Sequence, residues 1–307
     1  MEQLASIDIG SNTVRLLIME RGEDGQFREV DSRRVICRLG EGMNTEQRLL
    51  PHRMELTLKV LGEFQEQCRK HGDIPVRCVA TSAVREAANR QEFVRRAQER
   101  FGLTVEVISW EEEARLTLEG VFWRLPVTGK PTLVFDIGGG STEFILAQGR
   151  EVLATAGTGL GVVRLTEQFI SRHPVDPEEH LNMKTWIGRE LNRVRAQLGN
   201  PTPEILIGTA GTVTTLAAMD RNIFPYDPEK VHGLTLPRQN IEAILDDLKS
   251  KSLAERLEIQ TLERGREDLI IAGTTLVLET MRAFDCPLLT VSEYSLREGI
   301  LLSGARR

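Results

Sequence analysis

The sequence has no apolar run approaching the roughly 20 residues a membrane-spanning helix needs. Its 40% hydrophobic and 27% charged residues are the balance of a soluble globular protein. Membrane insertion is therefore not expected. Nor does the N-terminus read as a secretory leader. Residues 1–19 have no basic start, and they carry Asp8, Gly10, Asn12 and Arg15 within the apolar stretch, so a cytoplasmic location is expected. Cysteine is scarce. The four present, Cys37, Cys68, Cys78 and Cys286, are scattered, with no C-x-x-C pair and no histidine at zinc-ligand spacing, which excludes a disulfide framework and a zinc site. Basic charge is also in deficit. A formal net charge of −6 argues against nucleic acid as a partner, because such binding generally requires a basic domain. An anionic substrate would have to meet locally collected arginines, such as Arg33, Arg34 and Arg38, or Arg95 and Arg96. Low-complexity tracts are absent. What remains is a chain of 307 residues, the right length for two domains of roughly 150 each.

An internal repeat supports two domains. Residues 4–18 (LASIDIGSNTVRLLI) and 133–146 (LVFDIGGGSTEFIL) both read as a strand ending in Asp-Ile-Gly, a tight turn, and a returning strand. Two such hairpins half a chain apart suggest two similar lobes facing each other across a cleft, each offering an aspartate and a loop of backbone N–H groups. Glycine is expected there because it permits positive φ and lets amides approach a phosphate closely. Ser11, Asn12, Ser141 and Thr142 would add side-chain donors, and Arg15 a bidentate guanidinium. Aspartates beside phosphate need an intervening cation, so Asp8 and Asp136 with Glu143 imply a divalent metal, with oxygen ligands suited to Mg²⁺. Either hairpin alone reads equally well as an ordinary turn built on Asp and Gly.

The rest alternates strand and helix. Strands are expected at residues 76–80, 104–109, 204–207 and 288–291, and helices from about 83, over 111–123 and 176–198, from 212 through 219, and over 295–303; residues 225–237 read as an irregular connection. The Pro- and Gly-punctuated stretch 126–131 places the boundary between an N-terminal lobe, 1–126, and a C-terminal lobe, 127–307, whose last helix is free to pack back on the first. In SWEEEAR, Ser109 and Glu112 have capping-box spacing. This leaves Glu113 as the candidate general base, although three acids in a first turn also suit the helix dipole. Arg85 sits at a strand-to-helix junction, in a first turn where its charge opposes the dipole. Retention for phosphate and a surface pair with Glu86 explain it equally well. Gly208, Gly211 and Thr212 form a second junction, suited to a nucleoside or a distal phosphate.

Taken together, DIGSN at 8–12, TSAVREA at 81–87, EEAR at 112–115, DIGGGSTE at 136–143, residues 157–164, GTAGT at 208–212 and residues 292–299 resemble the exopolyphosphatase/guanosine pentaphosphate phosphatase (Ppx/GppA) family along nearly the whole chain. The resemblance implies an α/β fold, the duplicated ribonuclease H-like fold of the actin, sugar-kinase and Hsp70-type ATPase group. It implies that Glu113 is the catalytic base, and that Asp136 and Glu143 serve Mg²⁺ and catalysis. Asn12, Arg85, Gly138, Gly139 and Ser141 fall on phosphate-binding positions, and Gly140 lies in the same expected phosphate loop. The implied reaction is in-line attack of water on a terminal phosphoryl group of inorganic polyphosphate or, alternatively, of guanosine pentaphosphate (pppGpp), with no covalent intermediate. Thr13 stands where serine is common, and the helical C-terminal domains of longer members are not expected, which leaves processivity and homodimerisation open. Rival readings are an ATP-dependent kinase or nucleotide-driven switch, since this architecture hosts both, and a noncatalytic polyphosphate or alarmone sensor.

Overall fold

A strand covered on both faces reads as an almost continuous apolar run. Residues 4–9 are such a run, every one of them buried, and they fill β1 (Glu2–Ile9) from its third residue to its end. The structure, a computed structural model, describes residues 2–43 and 47–304. β1 is followed by β2 (Thr13–Arg21), β3 (Phe27–Ile36), β4 (Val76–Ala80) and β5 (Val105–Val107) in a sheet of order β3-β2-β1-β4-β5. β1 to β3 are antiparallel, and β4 and β5 run parallel to β1. One face packs Ile7, Ile9, Val14 and Leu16 against Leu58, Leu61 and Phe64 of helix Pro51–Lys70 and Phe93 of helix Arg90–Phe101. Val79 belongs to a second cluster with Ile108, with Leu116 of helix Trp110–Arg124 and with Leu296 and Ile300 of helix Leu296–Gly304.

The second sheet repeats the first. β6 (Pro131–Ile137), β7 (Thr142–Gln148), β8 (Glu151–Thr158), β9 (Ile205–Thr209), β10 (Thr235–Pro237) and β11 (Leu288–Ser292) are ordered β10-β11-β9-β6-β7-β8. β6 to β8 form the antiparallel meander, and β9 and β11 extend it in parallel. The sheet is covered by helices that include Val162–Phe169, Pro177–Gln197, Gly211–Arg221 and Ile270–Ala283, around a core containing Phe135, Phe144, Ile187, Leu216 and Leu276. The fold is thus a duplicated α/β fold of two mixed sheets, as expected. The stretch expected to be irregular, 225–237, contains a short helix, Pro228–Val231, and β10, which pairs with β11. All four cysteines are free and buried. No helix among the described residues is long and apolar enough to cross a membrane.

The chain divides into two units, Met1–Gly120 with Leu296–Arg307, and Val121–Ser295. The division falls before the Pro-rich stretch because the last turn of helix Trp110–Arg124 is already tied into the second unit. Arg150 Nη2 donates to the Phe122 carbonyl at 2.8 Å, and the Trp123 ring lies edge-on to Tyr294 at 5.0 Å. The final helix returns to the first unit, where Ser6 Oγ donates to the Arg297 carbonyl at 2.9 Å. Its approach requires glycine, since a Cβ on Gly299 would lie 1.8 Å from the Leu116 carbonyl oxygen. Gly299→Ala is expected to lower stability by about 2–3 kcal/mol, the upper range for forcing extra atoms into a packed contact. The check is the urea midpoint, and an unchanged midpoint would contradict the close approach.

Candidate active site

The two Asp-Ile-Gly hairpins are built alike, residue for residue. Gly10 N–H donates to the Thr13 carbonyl at 3.0 Å, and Gly138 N–H to that of Ser141 at 2.9 Å. Neither Gly10 nor Gly138 lies in the left-handed region, so the expected need for positive φ does not hold at these two positions. What the loops need is close approach by neighbouring backbone. In the second unit, Val162 and Val163 N–H donate to the carbonyls of Gly138 and Gly139 at 3.1 and 2.8 Å. A Cβ on Gly161 would lie 2.3 Å from the Gly139 oxygen. A trans peptide points its N–H opposite its C=O. Pinning those carbonyls to the start of helix Val162–Phe169 therefore turns the N–H groups of Gly139 and Gly140 the other way, where neither has an acceptor among the described residues. The first unit does the same with a different clamp. Gly40 N–H donates to the Ser11 carbonyl at 2.7 Å, and Cys37 and Arg38 N–H both donate to the Asn12 carbonyl at 2.9 Å, so the Asn12 N–H faces away from that segment. Asn12 is buried, and its Oδ1 has no hydrogen-bond partner among the described residues.

The copies differ in what stands opposite the aspartate. On the first hairpin Asp8 pairs in register with Arg15, and Arg15 with Arg34, giving a row of acid, base and base on one face of the sheet. On the second, Asp136 pairs with Glu143. Like charges directly opposite each other are unfavourable, and Glu143 is buried. Two carboxylates placed this way are hard-oxygen donors of the kind a divalent cation takes. No group of three His, Cys, Asp or Glu among the described residues is placed to hold a metal ion, so the remaining ligands would come from phosphate or water, as Mg²⁺ commonly accepts.

Arg85 and Glu113 meet. Arg85 lies in the one-turn helix Ser82–Glu86, and its Nη1 donates to Glu113 Oε2 at 2.7 Å and to the Ile108 carbonyl at 3.1 Å. The expected conflict with the helix dipole is absent, because so short a helix places Arg85 in its last turn; nor does Arg85 pair with Glu86, which accepts from Ser82 Oγ at 3.0 Å. The Arg85 guanidinium carbon lies 4.1 Å from the Trp110 ring centroid. Its Nε and Nη2 are buried and donate to nothing among the described residues. Those two nitrogens form the parallel edge that grips a phosphate or carboxylate bidentately. A buried ion pair with an entire unused fork is costly unless an anion completes it. Ser109 Oγ accepts from Glu112 N–H at 3.2 Å, giving one arm of the expected capping box, while the Glu112 carboxylate is held by Arg115 at 2.8 Å.

Other sequence candidates take other positions. Thr142 donates its hydroxyl to the Leu160 carbonyl at 2.5 Å, which ties β7 to the glycine segment behind the loop. Gly208 lies within β9, where a Cβ would be 2.8 Å from the Phe135 ring, so packing alone requires glycine there. Gly211 opens helix Gly211–Arg221 behind Ala210, whose φ of 72° and ψ of 174° are a strained backbone for a residue with a side chain. The guanidinium of the buried Arg266 lies against Gly211, where a Cβ would be 2.3 Å from Nη2; its Nε pairs with Glu263 at 2.6 Å. Sequence reading missed Trp110, Arg266 and the strain at Ala210. The last two depend on contacts and torsions that no local pattern carries. Arg95 and Arg96, expected among anion-collecting arginines, pair with Glu99 and Glu55.

A duplicated α/β fold with two clamped amide loops, an arginine fork beside a buried glutamate and a facing carboxylate pair defines a phosphate-handling enzyme. The pattern of the Ppx/GppA phosphatase family matches residues 18–307, and the chain belongs to that family of phosphoanhydride hydrolases. Exopolyphosphatase 2 of Mycobacterium tuberculosis is 31% identical over 99% of this chain and 98% of its own. The structure of the Aquifex aeolicus family member is 36% identical with a TM-score of 0.84, covering 99% of this chain and 98% of that one. An exopolyphosphatase from Cytophaga hutchinsonii is 28% identical with a TM-score of 0.92 at the same coverages.

Burial pushes the Asp8 carboxyl up to about 6 against the lowering pull of Arg15 and Arg297, with Glu298 adding to the rise. A folded pKa above the unfolded value means the native state holds more protons between about pH 4 and 6. The stability this group contributes is present below pH ~4 and is lost as pH rises through ~6. Asp8→Asn is therefore expected to stabilise the metal-free protein at pH 7 by on the order of 2 kcal/mol and to flatten its stability between pH 4 and 6. Denaturant titrations across that range check it; a variant less stable than wild type at pH 7 would contradict the buried-charge account.

Proposed function

We propose that the chain is a Mg²⁺-dependent exopolyphosphatase that hydrolyses the terminal phosphate of inorganic polyphosphate and releases orthophosphate. The observation that carries this reading is the unused fork of Arg85 beside Glu113. A terminal phosphoryl group seated on Nε and Nη2 would lie next to a buried carboxylate able to orient a water and accept its proton. The water oxygen forms a bond to phosphorus, the bridging P–O bond breaks, and the shortened chain leaves with the electron pair. Asn12, Ser11 and Arg15 assist binding on the first loop. In the second unit, Gly138, Gly139, Gly140 and Ser141 present amides and a hydroxyl of the kind that take a phosphate.

Asp136 and Glu143 are the residues we propose hold Mg²⁺, which when bound would neutralise charge on the phosphoryl oxygens. Asp8 already faces Arg15, and we propose that its task is to orient that arginine. Arg266 and the amides opening helix Gly211–Arg221 suit a phosphate farther along the substrate, or the nucleotide of pppGpp. Polyphosphate is favoured because the M. tuberculosis exopolyphosphatase matches end to end.

The test is orthophosphate release with Mg²⁺ from long polyphosphate and, separately, from pppGpp. Release from polyphosphate is expected to dominate, and Glu113→Ala is expected to lower kcat by about 10²- to 10⁴-fold, the usual contribution of a positioned base. Preference for pppGpp would make alarmone hydrolysis the function. Full activity in Glu113→Ala would remove Glu113 as the base.

A further inference from the structure

The geometry points to Trp110 as a positioning residue that fixes the plane of the Arg85 guanidinium and, through it, the Glu113 carboxylate; this rests on the reading of those two residues given above. Arginine is a long, flexible side chain, and three contacts hold this one. Glu113 and the Ile108 carbonyl take Nη1, and the Trp110 ring lies under the guanidinium at 4.1 Å. All three come from one short segment, residues 108–113, at the entrance to helix Trp110–Arg124.

The contacts divide the guanidinium without conflict. Its face goes to the indole, its Nη1 to the protein's own acceptors, and its buried Nε and Nη2 stay uncommitted among the described residues. A cation–π contact uses the flat face and consumes no N–H. A second carboxylate at position 110 would have anchored Arg85 equally well, but it would have competed for the Nε–Nη2 edge and repelled phosphate. An aromatic ring orients the fork and leaves it open. Because Nη1 and the fork belong to one rigid plane, tilting that plane moves the fork and releases Glu113 together.

The experiment is a double-mutant cycle on the full chain with polyphosphate and Mg²⁺, with melting temperatures recorded for every variant. Trp110→Leu is expected to lower kcat/KM by about threefold to thirtyfold, the range a cation–π contact is worth, with kcat falling as well as KM rising. Trp110→Phe, which keeps a ring face, should recover most of the loss. In an Arg85→Ala background, Trp110→Leu should cost nothing further, because its target is gone.

Wild-type kcat/KM in Trp110→Leu, or the same fractional loss in both backgrounds, would overturn the inference. If the leucine variant does not fold, the comparison of Trp110→Phe with wild type in the Arg85 and Arg85→Lys backgrounds carries the same test; an equal effect in both overturns it. Failure of the underlying reading looks different: Arg85→Ala and Glu113→Ala would then hydrolyse polyphosphate at wild-type rates whatever stands at position 110.

Discussion

The structure depends on the pinning of a few carbonyl groups. In each hairpin loop a neighbouring segment donates N–H groups to the loop's oxygens, and the planarity of the peptide then sends the loop's own N–H groups the opposite way. No side chain is needed for this, which is why the clamping partners differ so much between the copies: a stretch after β3 in one, the first turn of a helix in the other. It also explains the severity of the glycine at position 161, whose Cβ would occupy the space of the Gly139 and Gly140 backbone.

On that shared frame the two copies have diverged in charge. The residue opposite the aspartate is Arg15 in the first and Glu143 in the second. One exchange of sign sets a base against the first aspartate, whose burial still outweighs it, and an acid against the second. The first unit adds Arg85, and the buried Glu113 ties that arginine down while leaving half of it unused. Buried charges of this kind, with Asp8 pushed up to about 6, are costly to the folded state. Their retention is understandable where function rather than stability sets the residue.

Much of this was legible in the sequence because the signals were local. Mostly apolar runs on either side of a repeated Asp-Ile-Gly turn marked both hairpins, and β4, β9 and β11 followed from short apolar runs ahead of helices. β3 and β8 were not legible. They are the edge strands of the two meanders, and exposed residues such as Arg28, Arg33, Glu151 and Leu153 blur the apolar alternation that marks a covered strand. Glu113 could be separated from its neighbours by cap spacing, but its bond to Arg85 spans 28 residues and needed the fold. The same limit hid the Phe135 ring that crowds Gly208 from the adjacent strand, and Arg266, which reaches Gly211 from 55 residues away.

We propose that the facing acids of the second hairpin hold the cation, while Asp8 of the first hairpin does not. Calorimetric titration of Mn²⁺, as a stand-in for Mg²⁺, into the full-length protein without phosphate tests it most directly. One bound ion in wild type and in Asp8→Asn, with binding lost in Glu143→Gln, is the result the account predicts. Binding that disappears in Asp8→Asn and survives in Glu143→Gln would contradict it.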